Sequence, residues 1–198
     1  MSQPPIAAPG ITLGLIAGGR ARRLGGLDKA WLERGGEPQV LRLAALFADA
    51  TADTLVSANR GLDRLEAAGL RAVPDRVGDA GPLGALDALA AACRSDWLFT
   101  LPVDIVDAPD ALLPALIAGR SEHGAWLRDD DGAQPLAALW RTDMLRGAVA
   151  AALAAREYAV HALQARLGLA GVRLHGVRLG NLNTPDDLRA AGFQVPNP

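Results

Sequence analysis

Directly after the apolar run Ile11–Ile16, the chain places Gly18, Gly19, Gly25 and Gly26 among Arg20, Arg22, Arg23 and Lys29. Glycines let a backbone turn with positive φ and approach a ligand closely, so that N–H groups reach anionic oxygens. Cations spaced among them neutralise the same anion, and a polyphosphate suits both features. Neither of the two commonest phosphate loops is present here: the stretch holds no G-x-x-x-x-G-K-[ST] and no G-x-G-x-x-G. Taken alone, the loop leaves three readings open: a phosphate cradle, a solvated arginine turn, and a small arginine-rich RNA contact.

Other residues could do chemistry with it. Asp104 follows the apolar run Trp97–Leu101 and Pro102, which puts a carboxylate at the end of a buried strand. Mg²⁺ takes one or two carboxylates together with substrate phosphates and water, so Asp104 is the candidate metal ligand. Asp107 and Asp110, beside Pro109, read as helix caps. Thr184-Pro185-Asp186-Asp187 is a sound helix start and needs no chemistry, whereas the alternating Asn181 and Asn183 before it are candidates for holding substrate. The run Asp129-Asp130-Asp131 reads as a solvated turn rather than a metal site. His123, His161 and His175 lie far apart and Cys93 is the single cysteine, so neither a zinc site nor a Ser-His-Asp arrangement is on offer. Cys93 can form no intramolecular disulfide and reads as a small buried hydrophobe, which suits an intracellular setting.

The elements that must position these residues follow from composition and periodicity. The chain has 198 residues, 50% of them hydrophobic and 21% charged, with a net charge of −2. That is enough for one ordinary core, and it is not the balance of a nucleic-acid binder. Residues 1–10 carry three prolines and no basic residue; they predict a loose tail rather than a signal peptide. No apolar run approaches membrane-spanning length, so a soluble cytoplasmic protein is expected. Strands are expected at Ile11–Ile16, Thr54–Ala58, Arg71–Val73, Trp97–Leu101 and Val172–Val177. Helices are expected at Pro38–Ala50, Pro82–Cys93, Pro109–Ala118, Met144–Ala155 and Val160–Leu167, with a short one after Pro185. Such alternation implies a parallel sheet covered on both faces. It breaks at Gly124–Arg141, where two apolar runs flank the aspartates and predict a β-hairpin. The expected fold is a single α/β domain over residues 11–192, a Rossmann-like three-layer sandwich with a hairpin insertion and a short tail at 193–198. In such sheets ligands bind beyond the carboxyl ends of the strands, where the glycine-arginine loop and Asp104 both fall.

The motifs also occur in a known order. Ala17-Gly18-Gly19, Arg23-Leu24-Gly25-Gly26 and Asp28-Lys29 resemble the signature loop of the nucleotidyltransferases related to molybdenum cofactor guanylyltransferase. Ser57-Ala58-Asn59-Arg60, Val73-Pro74-Asp75, Gly81-Pro82-Leu83-Gly84, Pro102-Val103-Asp104, Gln134-Pro135-Leu136 and the stretch from Asn181 to Leu188 continue the resemblance along nearly the whole chain. The resemblance implies transfer of GMP from GTP to the terminal phosphate of molybdenum-molybdopterin, with pyrophosphate released and Mg²⁺ as cofactor. It implies nucleotide contacts from Ile16, Ala17, Gly18, Gly19, Lys29, Asp75 and Asp104, with Asp104 also on the metal. Arg20 and Arg23 join them as phosphate partners on charge alone; Arg23, Lys29 and Asp104 form the expected catalytic set. Other molybdenum-cofactor maturation proteins and apo-molybdoenzymes would be transient partners; nucleic acid and membrane would not. The nucleophile is already an anion, so positioning and charge neutralisation suffice without a general base.

Two positions depart from the family pattern. Ser57 stands where its first asparagine contacts nucleotide, and Ile105-Val106 stands where a Thr/Met-Pro pair is common. A CTP-dependent sister enzyme, a transferase of another small phosphate and a non-catalytic nucleotide-binding scaffold are the alternatives. Gly18-Gly19 and Asp28-Lys29 favour the guanine version.

Overall fold

The computed structural model describes residues 10–18 and 28–194. Strand β1 (Ile11–Ile16) is buried along its whole length, as a strand covered on both faces must be. It lies between β4 (Asp53–Ser57) and β6 (Trp97–Pro102), parallel to both, and β5 (Arg71–Val73) adds parallel to β4. A two-stranded ribbon, β2 (Glu33–Arg34) and β3 (Glu37–Pro38), stands apart from this sheet. The expected hairpin forms from β7 (Gly124–Asp129) and β8 (Gly132–Arg141), with β8 antiparallel to β6. Finally β9 (Ala170–Arg173) runs parallel to β7, giving the seven-strand order β5-β4-β1-β6-β8-β7-β9.

Side-chain alternation divides the core between the two faces of the sheet. Leu13, Leu15, Val56 and Phe99 join the cluster that includes α1 (Gln39–Leu46), α2 (Leu62–Ala67) and α4 (Leu112–Gly119). Leu55 and Leu98 join the opposite cluster with α3 (Pro82–Ala92), α5 (Thr142–Ala154) and α6 (Val160–Leu167). A third, smaller cluster of Leu32, Leu182, Leu188 and Phe193, with Val106 against it, lies beside α7 (Pro185–Ala190). Packing therefore continues to Phe193, and the Gln194 N–H donates to the Glu33 carbonyl.

Two elements depart furthest from the sequence reading, while others shift by one to three residues at an end. The last strand is Ala170–Arg173 rather than Val172–Val177, because Gly176 takes φ +73° and its N–H goes to Asp130 Oδ2 instead of to a neighbouring strand. The helix expected over Pro38–Ala50 stops at Leu46 and is followed by a separate 3₁₀ turn, Ala48–Ala50. Among the described residues, no helix is long and apolar enough to cross a membrane.

Candidate active site

Sheet order reverses at β1: the chain moves outward through β4 and β5, then returns to β6 on the other side. The carboxyl ends of β1 and β6 therefore border the crevice where open α/β sheets bind ligands. Ile16 ends β1, with Ala17 and Gly18 beyond it. The Ala17 N–H donates to the Ser57 carbonyl and the Val103 N–H to the Ile16 carbonyl, so three strand ends are tied together. Gly19, expected to contact the nucleotide, and Arg20 and Arg23, expected to contact its phosphates, lie outside the described residues.

Lys29 returns to this edge on a short 3₁₀ turn, Lys29–Trp31. Asp28 caps the turn, its Oδ1 accepting the Ala30 N–H at 3.1 Å. The Arg64 guanidinium of α2 lies 3.8 Å from the ring centre of Trp31, which holds the turn from behind. The Lys29 ammonium donates to Asp104 Oδ2 at 3.1 Å and to Asn183 Oδ1 at 3.1 Å. Lys29 and Asp104 are partly buried, with side chains 18% and 29% exposed, so the pair is screened but not lost to solvent. Leu182 is buried between two exposed asparagines, which is why Asn181 and Asn183 turn outward together. Asn183 reaches Lys29, whereas among the described residues no hydrogen bond joins the Asn181 side chain to this cluster. Asp187 completes a capping box with Thr184. Its carboxyl is held below the ordinary range by the Thr184 hydroxyl, by the N–H groups of Asn183 and Thr184, and by the nearby Lys29 charge.

The other side of the crevice is built around Asp75. Its Oδ1 accepts from the Ser57 hydroxyl at 3.2 Å and its Oδ2 from Asn59 Nδ2 at 2.8 Å, while its own N–H donates to Asn59 Oδ1 at 2.9 Å. Ser57 is fully buried. Its hydroxyl orients Asp75, a role that the comparison of motifs did not bring out. Gly84, in the first turn of α3, explains the glycine after Gly81-Pro82-Leu83: a Cβ there would stand 3.2 Å from Asp75 Oδ2 and 3.2 Å from the Val77 carbonyl oxygen.

Asp130 and Asp131 form the exposed turn that the sequence predicts, whereas the first of the three aspartates turns inward. Asp129 is fully buried. Its Oδ1 accepts from the N–H groups of Asp131 and Gly132, and its Oδ2 from Gln134 Nε2 and the Leu179 N–H. Burial pushes this carboxyl up, but the four hydrogen bonds together outweigh it, and the net shift is downward. Asp130 and Asp131 bind Gly176 and Arg178, so the hairpin grips the segment that leads to the asparagines. Leu179 passes the grip on: its carbonyl accepts from Val106 and Asp107, and the Leu182 N–H donates to the Asp104 carbonyl. Gly180, at φ +63°, permits this contact, since a Cβ would meet Val106 Cγ2 at 2.9 Å.

For a metal, the donor set is one carboxylate, Asp104, beside a lysine. Among the described residues no three His, Cys, Asp or Glu side chains group as a cage. That fits Mg²⁺ arriving with a polyphosphate and completing its shell with phosphate and water. His123 is structural, its Nδ1 2.8 Å from the Leu167 carbonyl oxygen, and His161 and His175 are exposed.

The chain is similar to known proteins along almost all of its length. The MobA-like NTP transferase domain matches residues 14–169. A protein of Pseudomonas aeruginosa named molybdenum cofactor guanylyltransferase is 35% identical over 189 residues, covering 92% of this chain and 95% of that one. A protein of the same name from Cupriavidus pinatubonensis is 34% identical over 154 residues, covering 73% and 77%. The fold is shared with molybdopterin-guanine dinucleotide biosynthesis protein A of Archaeoglobus fulgidus (TM-score 0.65, 18% identity, 91% and 96% covered). It is shared equally with 2-C-methyl-D-erythritol 4-phosphate cytidylyltransferase of Thermus thermophilus (TM-score 0.67, 19% identity, 90% and 96% covered). With the family model matched over residues 14–169 and a relative 35% identical over 92% of its length, the chain belongs to the MobA-like NTP transferase family.

Proposed function

We propose that the protein transfers GMP from GTP to the terminal phosphate of molybdenum-molybdopterin and releases pyrophosphate. The observation that carries this reading is the Lys29 ammonium held 3.1 Å from Asp104 at the β1–β6 crevice. A cation and a carboxylate placed together there suit a triphosphate that brings its own metal. The names of the guanylyltransferase relatives favour guanine and molybdopterin as the two substrates.

Backbone groups of Ile16, Ala17 and Gly18, with Gly19 beyond them, line the base. Asp75, fixed by Ser57 and Asn59, accepts from the nucleoside. Arg20, Arg23 and Lys29 neutralise the triphosphate; Lys29 exchanges its bond to Asp104 for phosphate oxygen. Asp104 holds Mg²⁺, which when bound neutralises charge on the phosphates and helps align them. Asn183, and Asn181 beside it, face the acceptor. The acceptor phosphate attacks the α-phosphorus, the bond to the bridging oxygen breaks, and pyrophosphate leaves with that oxygen. No proton need move, so catalysis rests on alignment and electrostatics. The transferase unit runs from residue 11 through Phe193, works in the cytoplasm and hands its product to maturation proteins and apo-molybdoenzymes.

The test compares GTP, CTP, ATP and UTP with Mg²⁺ in thermal melts, followed by pyrophosphate release with molybdopterin. A nucleotide at one hundred times its Kd stabilises by about 2.7 kcal/mol, and a chain of this size moves by about 2–4 °C per kcal/mol. A shift specific to GTP, with release that requires molybdopterin, is the expected result. A shift specific to CTP would assign the protein to the cytidylyl reading instead, and binding without release would make it a scaffold.

A further inference from the structure

The loop that carries Asp104 cannot hold itself. Its next residues, Ile105 and Val106, offer no polar side chain, and a buried loop carbonyl left unpaired is costly. Both carbonyls are instead met from α1. Gln39 Nε2 donates to the Ile105 carbonyl at 2.6 Å, and an Arg42 terminal nitrogen donates to the Val106 carbonyl at 2.8 Å. Arg42 Nε donates to Gln39 Oε1 at 3.0 Å, so the two side chains form one linked clamp. Gln39 is fully buried, a place where an amide is kept only if its hydrogen bonds are made.

The clamp also reaches the other member of the ion pair. The Gln39 N–H donates to the Leu32 carbonyl at 2.9 Å, and the Leu32 N–H to the Lys29 carbonyl at 3.4 Å. The first turn of α1 thus binds the backbone of the Lys29 turn with one group and the backbone of the Asp104 loop with others. Neither Gln39 nor Arg42 falls in any of the motifs. Both act on the Ile105-Val106 pair by which this chain departs from the family pattern.

We propose that Gln39 and Arg42 are positioning residues that fix the Asp104 carboxylate opposite Lys29 and so set the affinity for the divalent ion. This rests on the reading of Asp104 as the metal-side carboxylate. Groups that orient a metal ligand from behind typically change metal affinity by about 10–100-fold when removed. A role confined to packing would lower the melting temperature and leave metal affinity alone.

The experiment measures Mn²⁺ binding by the loss of free-ion EPR signal, on the full chain saturated with a GTP analogue bridged by methylene between the α- and β-phosphorus. The variants are Gln39→Met and Arg42→Met, with Arg42→Lys as the conservative partner and Asp104→Asn as the control. Expected is a loss of about tenfold in Mn²⁺ affinity for each methionine variant, with nucleotide affinity in the absence of metal changed less than about twofold. Arg42→Lys, which keeps a donor for the Val106 carbonyl, recovers most of the loss. Methionine variants that melt lower yet bind Mn²⁺ like the parent overturn the proposal. Should Asp104→Asn bind Mn²⁺ like the parent, the reading of the site fails first, and the positioning role with it. Arg42 is only partly buried, so its variants carry the test even if Gln39→Met does not fold.

Discussion

Asp75 and Asp104 both stand just beyond parallel strands on one edge of the sheet, yet they are held in opposite ways. Asp75 is oriented by Ser57 and Asn59, 18 and 16 positions away, and sits where Gly84, lacking a Cβ, leaves it room. Asp104 meets Lys29 across 75 positions, and Lys29 meets Asn183 across 154. The Asp75 side is a preformed local cradle whose carboxylate has both oxygens engaged. The Asp104 side is a junction of three distant segments over the small cluster of Leu32, Val106, Leu182, Leu188 and Phe193. If Asp75 serves the nucleotide and Asp104 the metal, as proposed, damage far from the crevice should reach metal binding and spare nucleotide binding.

The sharpest break in that contrast is Asp104→Asn. Turnover should fall on the order of 10²–10³-fold. Stability should change by no more than about 1 kcal/mol, because the ion pair is partly exposed. Steady-state kinetics beside denaturant melts check both; unchanged turnover would remove Asp104 from the mechanism.

Next in size is Asp129→Asn, outside the crevice. It turns a buried, four-bonded carboxylate into an amide whose NH₂ faces N–H donors, at a cost of about 2–4 kcal/mol. Folding lowers this carboxyl's pKa, so its stabilisation is complete above the unfolded carboxylate value near pH 4 and fades as pH falls through the lower folded value. Denaturant melts below about pH 4 should show the parent losing stability that the variant never had. Through Leu179 the same change should weaken Mn²⁺ binding and leave metal-free nucleotide binding intact; an equal loss of both would erase the contrast.

Gly84→Ala probes the local side. Alanine favours the helix by about 1 kcal/mol, which offsets much of the crowding, so stability should stay nearly level. Asp75 must yield by a few tenths of an ångström, and nucleotide affinity should drop about fivefold with metal dependence unchanged. Calorimetric titration separates the two. The smallest effect is expected from Arg64→Ala, which removes the stack on Trp31 at about 0.5–1 kcal/mol. The Lys29 turn should loosen, raising the KM for nucleotide a few-fold with little change in kcat, as read from initial rates.

Much of this was legible in the chain itself, where the physics is local. Apolar runs of strand length, separated by helical spacings, are enough to specify a covered parallel sheet, and Gly124–Arg141 announces its hairpin through a polar turn between apolar arms. Thr184-Pro185 sets a helix start by capping chemistry alone. Asp104 could be named because it ends a buried strand, the glycine-arginine loop because its residue types suit a polyphosphate, the two asparagines because they alternate before a helix start, and Asp75 because the order of motifs implied it. Partnership could not be read, because hydrogen bonds between residues 75 or 154 apart leave no spacing pattern. Composition suggested solvent for Asp129, whereas backbone N–H groups from Leu179 and its own turn made burial tolerable. By its sequence Ser57 reads as a weakened ligand contact, whereas its buried hydroxyl donates to Asp75. Which residues exist at the sheet edge was decided by the sequence; which of them touch was decided only when packing closed the loops onto one another.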